Sequence, residues 1–338
     1  MSTNALYVQT NEAETNQVID FRRDRDGSLT KLGVYPTGGA GDGTSHLTSQ
    51  GSVVLSGDGR QLLVTNAGSD DVSVFVVGGD GLELVQAVPS GNAPKSVAEH
   101  GGLVYVLNTG DGSVVGFRLA PDGLERIEGS ERSLTPGADP AQVGFRPDGA
   151  TLVVTDRGTD SIVVFPVRAD GTLGEPTTQA SSGPTPYGFA FTSSGTLVVT
   201  EAFGAQAGKA AASSYRIENG SIAPVTRSLG NGRSEICWAV VTTDDRYAFT
   251  TNFADGAVSR WEIGRDGSIT LDDAAAATAV EGEAGLRDED LTSDGRFLYA
   301  IDADGGRIFG WSVGAGGSLT AIGSWEGLPR TVAGLAAS

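Results

Sequence analysis

Seven turn pairs recur along the chain at nearly constant spacing: Asp26-Gly27, Asp80-Gly81, Asp122-Gly123, Asp170-Gly171, Asn219-Gly220, Asp266-Gly267 and Gly316-Gly317. Most are followed by Ser or Thr and then Leu or Ile. Pairs of this kind tolerate positive φ and mark tight β-hairpins. The steps between their second residues are 54, 42, 48, 49, 47 and 50, and the count from Gly317 through the C-terminus round to Gly27 is 48. The seven steps close on the full 338 residues, which is the arithmetic of a ring. Between the turns, short Val/Leu/Tyr runs alternate with Gly, Asp and Asn, without the i, i+3, i+4, i+7 stripe of an amphipathic helix. The chain therefore reads as all-β, in seven units of about 48 residues.

A second hairpin repeats independently. Asp58-Gly59, His100-Gly101, Asp148-Gly149, Ser194-Gly195, Asp244-Asp245 and Asp294-Gly295 fall between the first and second strands of six units. The seventh copy would lie between Ser338 and Met1. The segment Ala333 to Ala337 is thus expected to supply the innermost strand of a unit whose other strands begin at Leu6. The expected fold is a single seven-bladed β-propeller over residues 1–338, with four-stranded blades and a velcro closure by the N- and C-terminal strands. No linker interrupts the repeat, as two separate β domains would require.

Charge narrows the partners. Lys+Arg number 23 against 42 Asp+Glu, a net −19 that repels phosphate backbones and anionic membrane surfaces. No apolar run approaches the ~20 residues of a membrane-spanning helix. Cys237 is the only cysteine, so neither an intrachain disulfide nor a thiolate zinc cage can form. The start Met1-Ser2-Thr3-Asn4 lacks the basic and apolar regions of a signal peptide, and a cytoplasmic location is the expectation. Nucleic acid and membranes are not expected partners; a small molecule is.

The stretches TSQGSVVLSGDGRQLLVTNAGSDDVSVF, PYGFAF, LVVTEAFG, ASSYRI, CWAVVTTDDRYAFTTN and GRFLYAIDADGGRIFGW resemble the lactonase family of seven-bladed propellers, over essentially the whole chain. That family includes 6-phosphogluconolactonase-like hydrolases and carboxymuconate-lactonizing enzymes. The resemblance implies a site of His and Arg at inner-strand entrances, a Glu after one second strand and an Arg after a later one. Here the entrances read Pro186-Tyr187-Gly188 and Asp139-Pro140-Ala141-Gln142, and the later second strand ends Asp302-Ala303. Only Glu201, in Val-Val-Thr-Glu, falls where the resemblance places a functional carboxylate.

In a propeller the loops leading to each inner strand share one face with those from second to third strands, and the site is expected there. The second strands end in Asn11, Asn66, Asn108, Asp156, Glu201, Asn252 and Asp302. Short Asn and Asp side chains also cap turns by bonding local backbone, whereas Glu does so poorly, so Glu201 stands out. The entrances add Gln50, Ser52, Lys95, Ser96, Gln142, Tyr187, Trp238, Arg287, Asp288 and Arg330. Lactone hydrolysis needs a base for water and a donor for the tetrahedral oxyanion. Glu201 or Asp288 suits the first role, and Lys95, Arg287 or Arg330 the second. Tyr187 and Trp238 suit an apolar wall, with Gln142 and Asp156 beside the substrate; the same cations would also serve merely to neutralise an acidic rim. His46, in the long connection 36–50, is a candidate base or lid residue. Phe203 to Ser214 is the candidate lid, and an inconsequential surface loop is its other reading.

No ligand spacing is diagnostic of a metal. A divalent cation such as calcium stays open only through the ring of Asn, Asp and Glu oxygens, and Asp24-Arg25-Asp26-Gly27 belongs to an outer hairpin. No cofactor is otherwise expected. Cys237 reads as a small buried hydrophobe and His100 as structural, on the opposite face. The expected function is lactonase-like hydrolysis or formation of a cyclic compound at the channel mouth. The alternatives are a non-catalytic propeller that binds a small ligand or protein through the same face, and a metal-assisted hydrolase.

Overall fold

The computed structural model describes residues 4–45, 47–218, 220–280 and 282–338. Seven antiparallel sheets form a ring, and we number the blades from the first complete one. The inner strands of blades 1 to 6 are Val53–Leu55, Pro94–His100, Pro140–Phe145, Pro186–Phe191, Ile236–Val241 and Leu286–Leu291. Blade 7 takes its inner strand, Ala333–Ala337, from the C-terminus and its other three, Ala5–Gln9, Gln17–Arg23 and Leu29–Pro36, from the N-terminus. The closure is therefore the expected one, with Leu6 opposite Ala337, Tyr7 opposite Ala336 and Val8 opposite Leu335.

Turn chemistry explains the repeat. In the outer hairpins Asp26, Asp170 and Asp266 each accept hydrogen bonds on Oδ1 from the amide and hydroxyl of the Ser or Thr two residues on. In the inner hairpins Ser56, Thr242 and Thr292 donate to Asp58, Asp244 and Asp294, whose same oxygens accept the amides of Arg60, Arg246 and Arg296. Blades 3 and 4 vary this with Asp148 accepting the Ala150 amide and Thr192 paired with Ser194, while blade 2 turns through Gly101-Gly102 with Glu99 accepting the Gly102 amide. Its fourth strand is also broken, into Gly123–Arg126 and Arg132–Ser133.

The apolar core lies between blades, in seven clusters, one for each interface. Strands buried on both faces explain why Leu62-Leu63-Val64, Val104-Tyr105-Val106-Leu107 and Leu152-Val153-Val154 are continuous hydrophobic runs rather than alternating ones. Tyrosines stitch neighbouring blades as well: Tyr105 Oη donates to the Gly171 carbonyl at 2.7 Å, and Tyr299 Oη to that of Gly27 at 2.6 Å. Among the described residues no helix is long and apolar enough to cross a membrane.

The closing strand is held by more than its ladder. Ser338 Oγ accepts the Ala5 amide at 2.8 Å, and the buried Arg23 donates to the Ser338 carbonyl at 3.0 Å. On the other side Asp288 and Asp290, from blade 6, accept the amides of Gly334 and Ala337. Removing residues 333–338 uncovers the Leu6, Val8 and Ile19 cluster and leaves a sheet edge in the ring. The truncated protein is expected to lose cooperative thermal unfolding by calorimetry; retention of a sharp transition within a few degrees of the full chain would show that the closure is dispensable.

Candidate functional site

Pairing between inner and second strands slips near the start of the inner strand in blades 2 to 7, and in blades 2 to 6 the irregularity begins just after its first residue. A bulge of this kind re-aims a side chain out of the ladder. The second residues of those five strands are Lys95, Ala141, Tyr187, Cys237 and Arg287, and four of the five share a region at the channel mouth. A bulged residue also leaves a carbonyl that the ladder does not use. Thr155, Thr200 and Thr251, on the second strands of the preceding blades, donate their hydroxyls to the carbonyls of Tyr187, Cys237 and Arg287. The hydroxyls satisfy buried acceptors and fix the mouth residues in position.

A cavity of about 460 Å³ opens at this mouth. Arg157, Tyr187, Cys237, Phe253, Arg287, Glu235 and Asp304 line it, with Ser45 from the long connection and Ala202, Gly204 and Ala205 from the segment after Glu201. The Arg287 side chain is 3% exposed. Its guanidinium lies 4.6 Å from the centre of the Phe253 ring, Nη1 donates to the Ser45 carbonyl at 2.8 Å, and Nε is buried with no hydrogen-bond acceptor. Arg157 stacks over Tyr187 at 5.5 Å while Nη2 binds both oxygens of Asp139 at 2.7 Å. Burial raises the Tyr187 phenol well above its ordinary value and pushes the Cys237 thiol up to about 12, so neither ionises near neutrality.

Gln142 and Trp238, the third residues of two of these strands, and Gln50, ahead of the inner strand of blade 1, form a belt across the channel beneath this cavity. Gln142 takes the Phe189 amide at 2.6 Å and returns a bond to its carbonyl at 3.0 Å. Gln50 does the same across the ring with Ala239, at 3.1 and 2.8 Å, and Trp238 Nε1 donates to the Ser49 carbonyl at 2.9 Å. The belt separates the upper cavity from the rest of the channel.

Of the expected site residues, Tyr187 and Arg287 line the upper cavity. Gln142 and Trp238 are in the belt and face the lower channel instead. Lys95 pairs with Asp42 at 3.0 Å, fastening the long connection rather than lining the cavity. Arg330 is exposed on the turn before the closing strand, and Asp288 is turned toward the Gly334 amide of blade 7. His46 lies outside the described residues.

Glu201 and Asp156 do not reach the cavity, and their bonds explain why. Asp156 caps its own turn, accepting the amides of Asp139 and Gly158 and the Thr159 hydroxyl. Glu201 is fully buried, with Oε1 accepting the Gly183 amide at 2.9 Å and the Ser213 hydroxyl at 2.5 Å. A methyl group built on Gly183 would lie 2.3 Å from Glu201 Oε2, and glycines cover Asn66, Asn108 and Asp302 in the same manner. The polar column thus anchors the loops arriving from the preceding blade. Asn11 differs, lying two residues beyond Gln9 with φ of 54° and holding Asp42 of the long connection. The segment expected as a lid is shorter than expected, because Ala211–Ser214 already belong to the third strand; Phe203 and Gly204 are bonded back to Pro184 and Thr185.

Arg157 and Phe253 escaped sequence reasoning because they stand one residue past the column read as functional. The readable signal was that offset: Arg157, Ala202 and Phe253 occupy the same repeat position and all line the cavity.

With this geometry in view, the chain was compared with known proteins. The family model for the seven-bladed β-propeller lactonases matches residues 2–126 and 123–203, and the chain belongs to that family. No curated protein matches the sequence. Among solved structures, a putative 6-phosphogluconolactonase from Bacteroides fragilis is 18% identical, with 99% of this chain and 98% of that one covered at a TM-score of 0.74. The periplasmic gluconolactonase of Pseudomonas aeruginosa is 19% identical, covering 97% and 98% at 0.73. A protein from Lactobacillus plantarum is 17% identical, covering 98% of each chain at 0.75. At such identities the likeness carries the fold.

Two predictions follow from the buried carboxylates. Replacing Glu201 by Leu removes the oxygen that accepts from Gly183 and Ser213 and is expected to cost about 1–3 kcal/mol, read as a lower Tm, while any turnover stays within about twofold; an unchanged Tm with lost turnover would return Glu201 to the chemistry. Burial raises Asp288 and Asp290 to about 7, Asp20 to about 6, and Glu289 well above its ordinary value. Carboxyls raised in the folded state contribute stability that is complete below about pH 4 and lost as pH climbs through about 6 to 7. Tm is therefore expected to be higher at pH 5.5 than at pH 8, with a smaller difference in Asp290→Asn; a flat or opposite profile would contradict this.

Proposed function

We propose that the protein is a lactone hydrolase acting on small lactones that carry a negative charge, with the upper cavity as its active site. Membership of the lactonase family supports the class. The observation that carries the site is Arg287, a buried guanidinium at the cavity wall with an unused Nε–H. A donor of this kind, fixed before substrate arrives and shielded from water, stabilises an oxyanion more strongly than one in solvent.

Glu235 is the proposed base: it lines the cavity and has no ion pair among the described residues, whereas Asp304 faces Arg287 at 4.0 Å. Glu235 takes a proton from water as the water oxygen bonds the lactone carbonyl carbon, and the carbonyl oxygen becomes an oxyanion at Arg287. Collapse of that intermediate breaks the ring C–O bond, and the leaving alkoxide recovers the proton from Glu235, giving the open hydroxy acid. Arg157 would hold a phosphate or carboxylate substituent, and Tyr187 and Phe253 the apolar face of the ring.

A second reading rests on the Pro186-Tyr187-Gly188 and Asp139-Pro140-Ala141-Gln142 entrances, which lack the expected His and Arg: the cavity would then bind an anionic small molecule without turning it over. Proton release in weak buffer across phosphorylated, carboxylated and neutral lactones separates the two. Hydrolysis favouring the charged lactones is expected, with kcat/KM reduced about 10²–10³-fold in Arg287→Gln and kcat reduced in Glu235→Gln. Silence across the panel together with saturable binding of a sugar-acid phosphate would establish the binding propeller, and activity retained in Arg287→Gln would remove this site.

A further inference from the structure

Beneath the belt of Gln50, Gln142 and Trp238 lies a second cavity of about 400 Å³, running down the channel toward the opposite face. Its walls mix aliphatic side chains, Val97, Val143 and Leu335 among them, with polar groups, and Trp238 stands at the top. Its only charged lining residues are Glu99, Glu289 and Asp290, and no lysine, arginine or histidine answers them. Glu99 accepts the Gly57 and Gly102 amides, and Asp290 those of Ala337 and Leu291. Glu289 is different. It is 1% exposed and lies against the Thr251 backbone, yet neither carboxylate oxygen completes a hydrogen bond.

A buried carboxyl without partners is costly in either protonation state and most costly when charged. A metal ion does not resolve this, because such ions take several oxygen ligands at 2.3–2.6 Å, roughly. Asp288 and Asp290 turn toward blade 7 through Gly334 and Ala337, and Glu289, between them on the strand, points the other way. Among the described residues no three carboxylate, histidine or cysteine side chains gather closely enough to hold a metal. An alkylammonium ion makes a different demand: one carboxylate for its head, aliphatic contacts for a short chain and an indole face close by.

We propose that the lower channel is a binding site for a small alkylammonium ion, with its head paired to Glu289 and its chain against Val97, Val143 and Leu335. This site is separate from the upper cavity and stands whether or not the lactonase reading does.

Calorimetric titration of the full chain with n-butylammonium, 1,4-diammoniobutane, calcium chloride and 1-butanol tests it. Saturable one-to-one binding of the ammonium ions is expected, at least about tenfold tighter than the neutral isostere. Glu289→Gln is expected to weaken it by about tenfold or more. Leu55→Trp, which narrows the channel without touching the carboxylate, supplies the same readout should the Gln variant fold poorly. Absence of saturable binding, equal binding of 1-butanol, preference for calcium, or unaltered affinity in the folded Glu289→Gln variant would each overturn the proposal.

Discussion

Everything at the mouth of this propeller depends on how buried carbonyls at the inner-strand bulges are satisfied. A bulge turns one side chain toward the channel and withdraws one carbonyl from the ladder, and in a water-poor ring that carbonyl must find a donor. Thr155, Thr200 and Thr251 provide it from the neighbouring blade. The position of Tyr187, Cys237 or Arg287 is therefore set jointly by two blades, and the cavity exists because the ring is closed. The same logic runs through the belt below, where Gln50 and Gln142 each satisfy both backbone groups of a residue in another blade. Polar groups here specify blade order and spacing, while the seven aliphatic interfaces supply the bulk of the burial.

The architecture was legible because it is written in turn chemistry. An Asp that accepts both groups of a following Ser or Thr, next to a residue at positive φ, leaves a mark that recurs at a countable interval, and the missing seventh inner hairpin identified Ala333 to Ala337 as the closing strand. Residues that face the cavity leave no such mark. Glu201 attracted a catalytic reading because Glu seldom caps turns, yet its length lets it reach both Gly183 and Ser213, the same anchoring task that Asn66 and Asn108 perform with shorter arms. Arg157 was overlooked because a single residue of offset separates a side chain that ties down a loop from one that looks into the channel. Bulges, which decide that offset, have no compositional signature.

Charge is distributed unevenly. A chain of net −19 places two arginines beside two acidic residues at its upper cavity and three acidic residues, with no cation, in its lower one. Two chambers of different charge balance thus lie on either side of the belt. The upper chamber is bounded by segments of differing regularity, including the long connection through Ser45 and the short turn at Phe203–Ala205, whereas the lower is bounded by inner strands and the belt.

The single thiol has a consequence for following this protein in solution. Cys237 is 5% exposed, and burial holds its thiol protonated far above neutrality. Thiolate reagents thus find almost nothing to attack while the blades remain in place. Its carbonyl is bound by Thr200 of blade 4 and its packing neighbours come from blades 3, 4 and 5, so the residue is held by three blades at the wall of the upper cavity. The rate at which an alkylating reagent consumes that one thiol is consequently a gauge of how freely the upper cavity is entered, built into the chain without any added label.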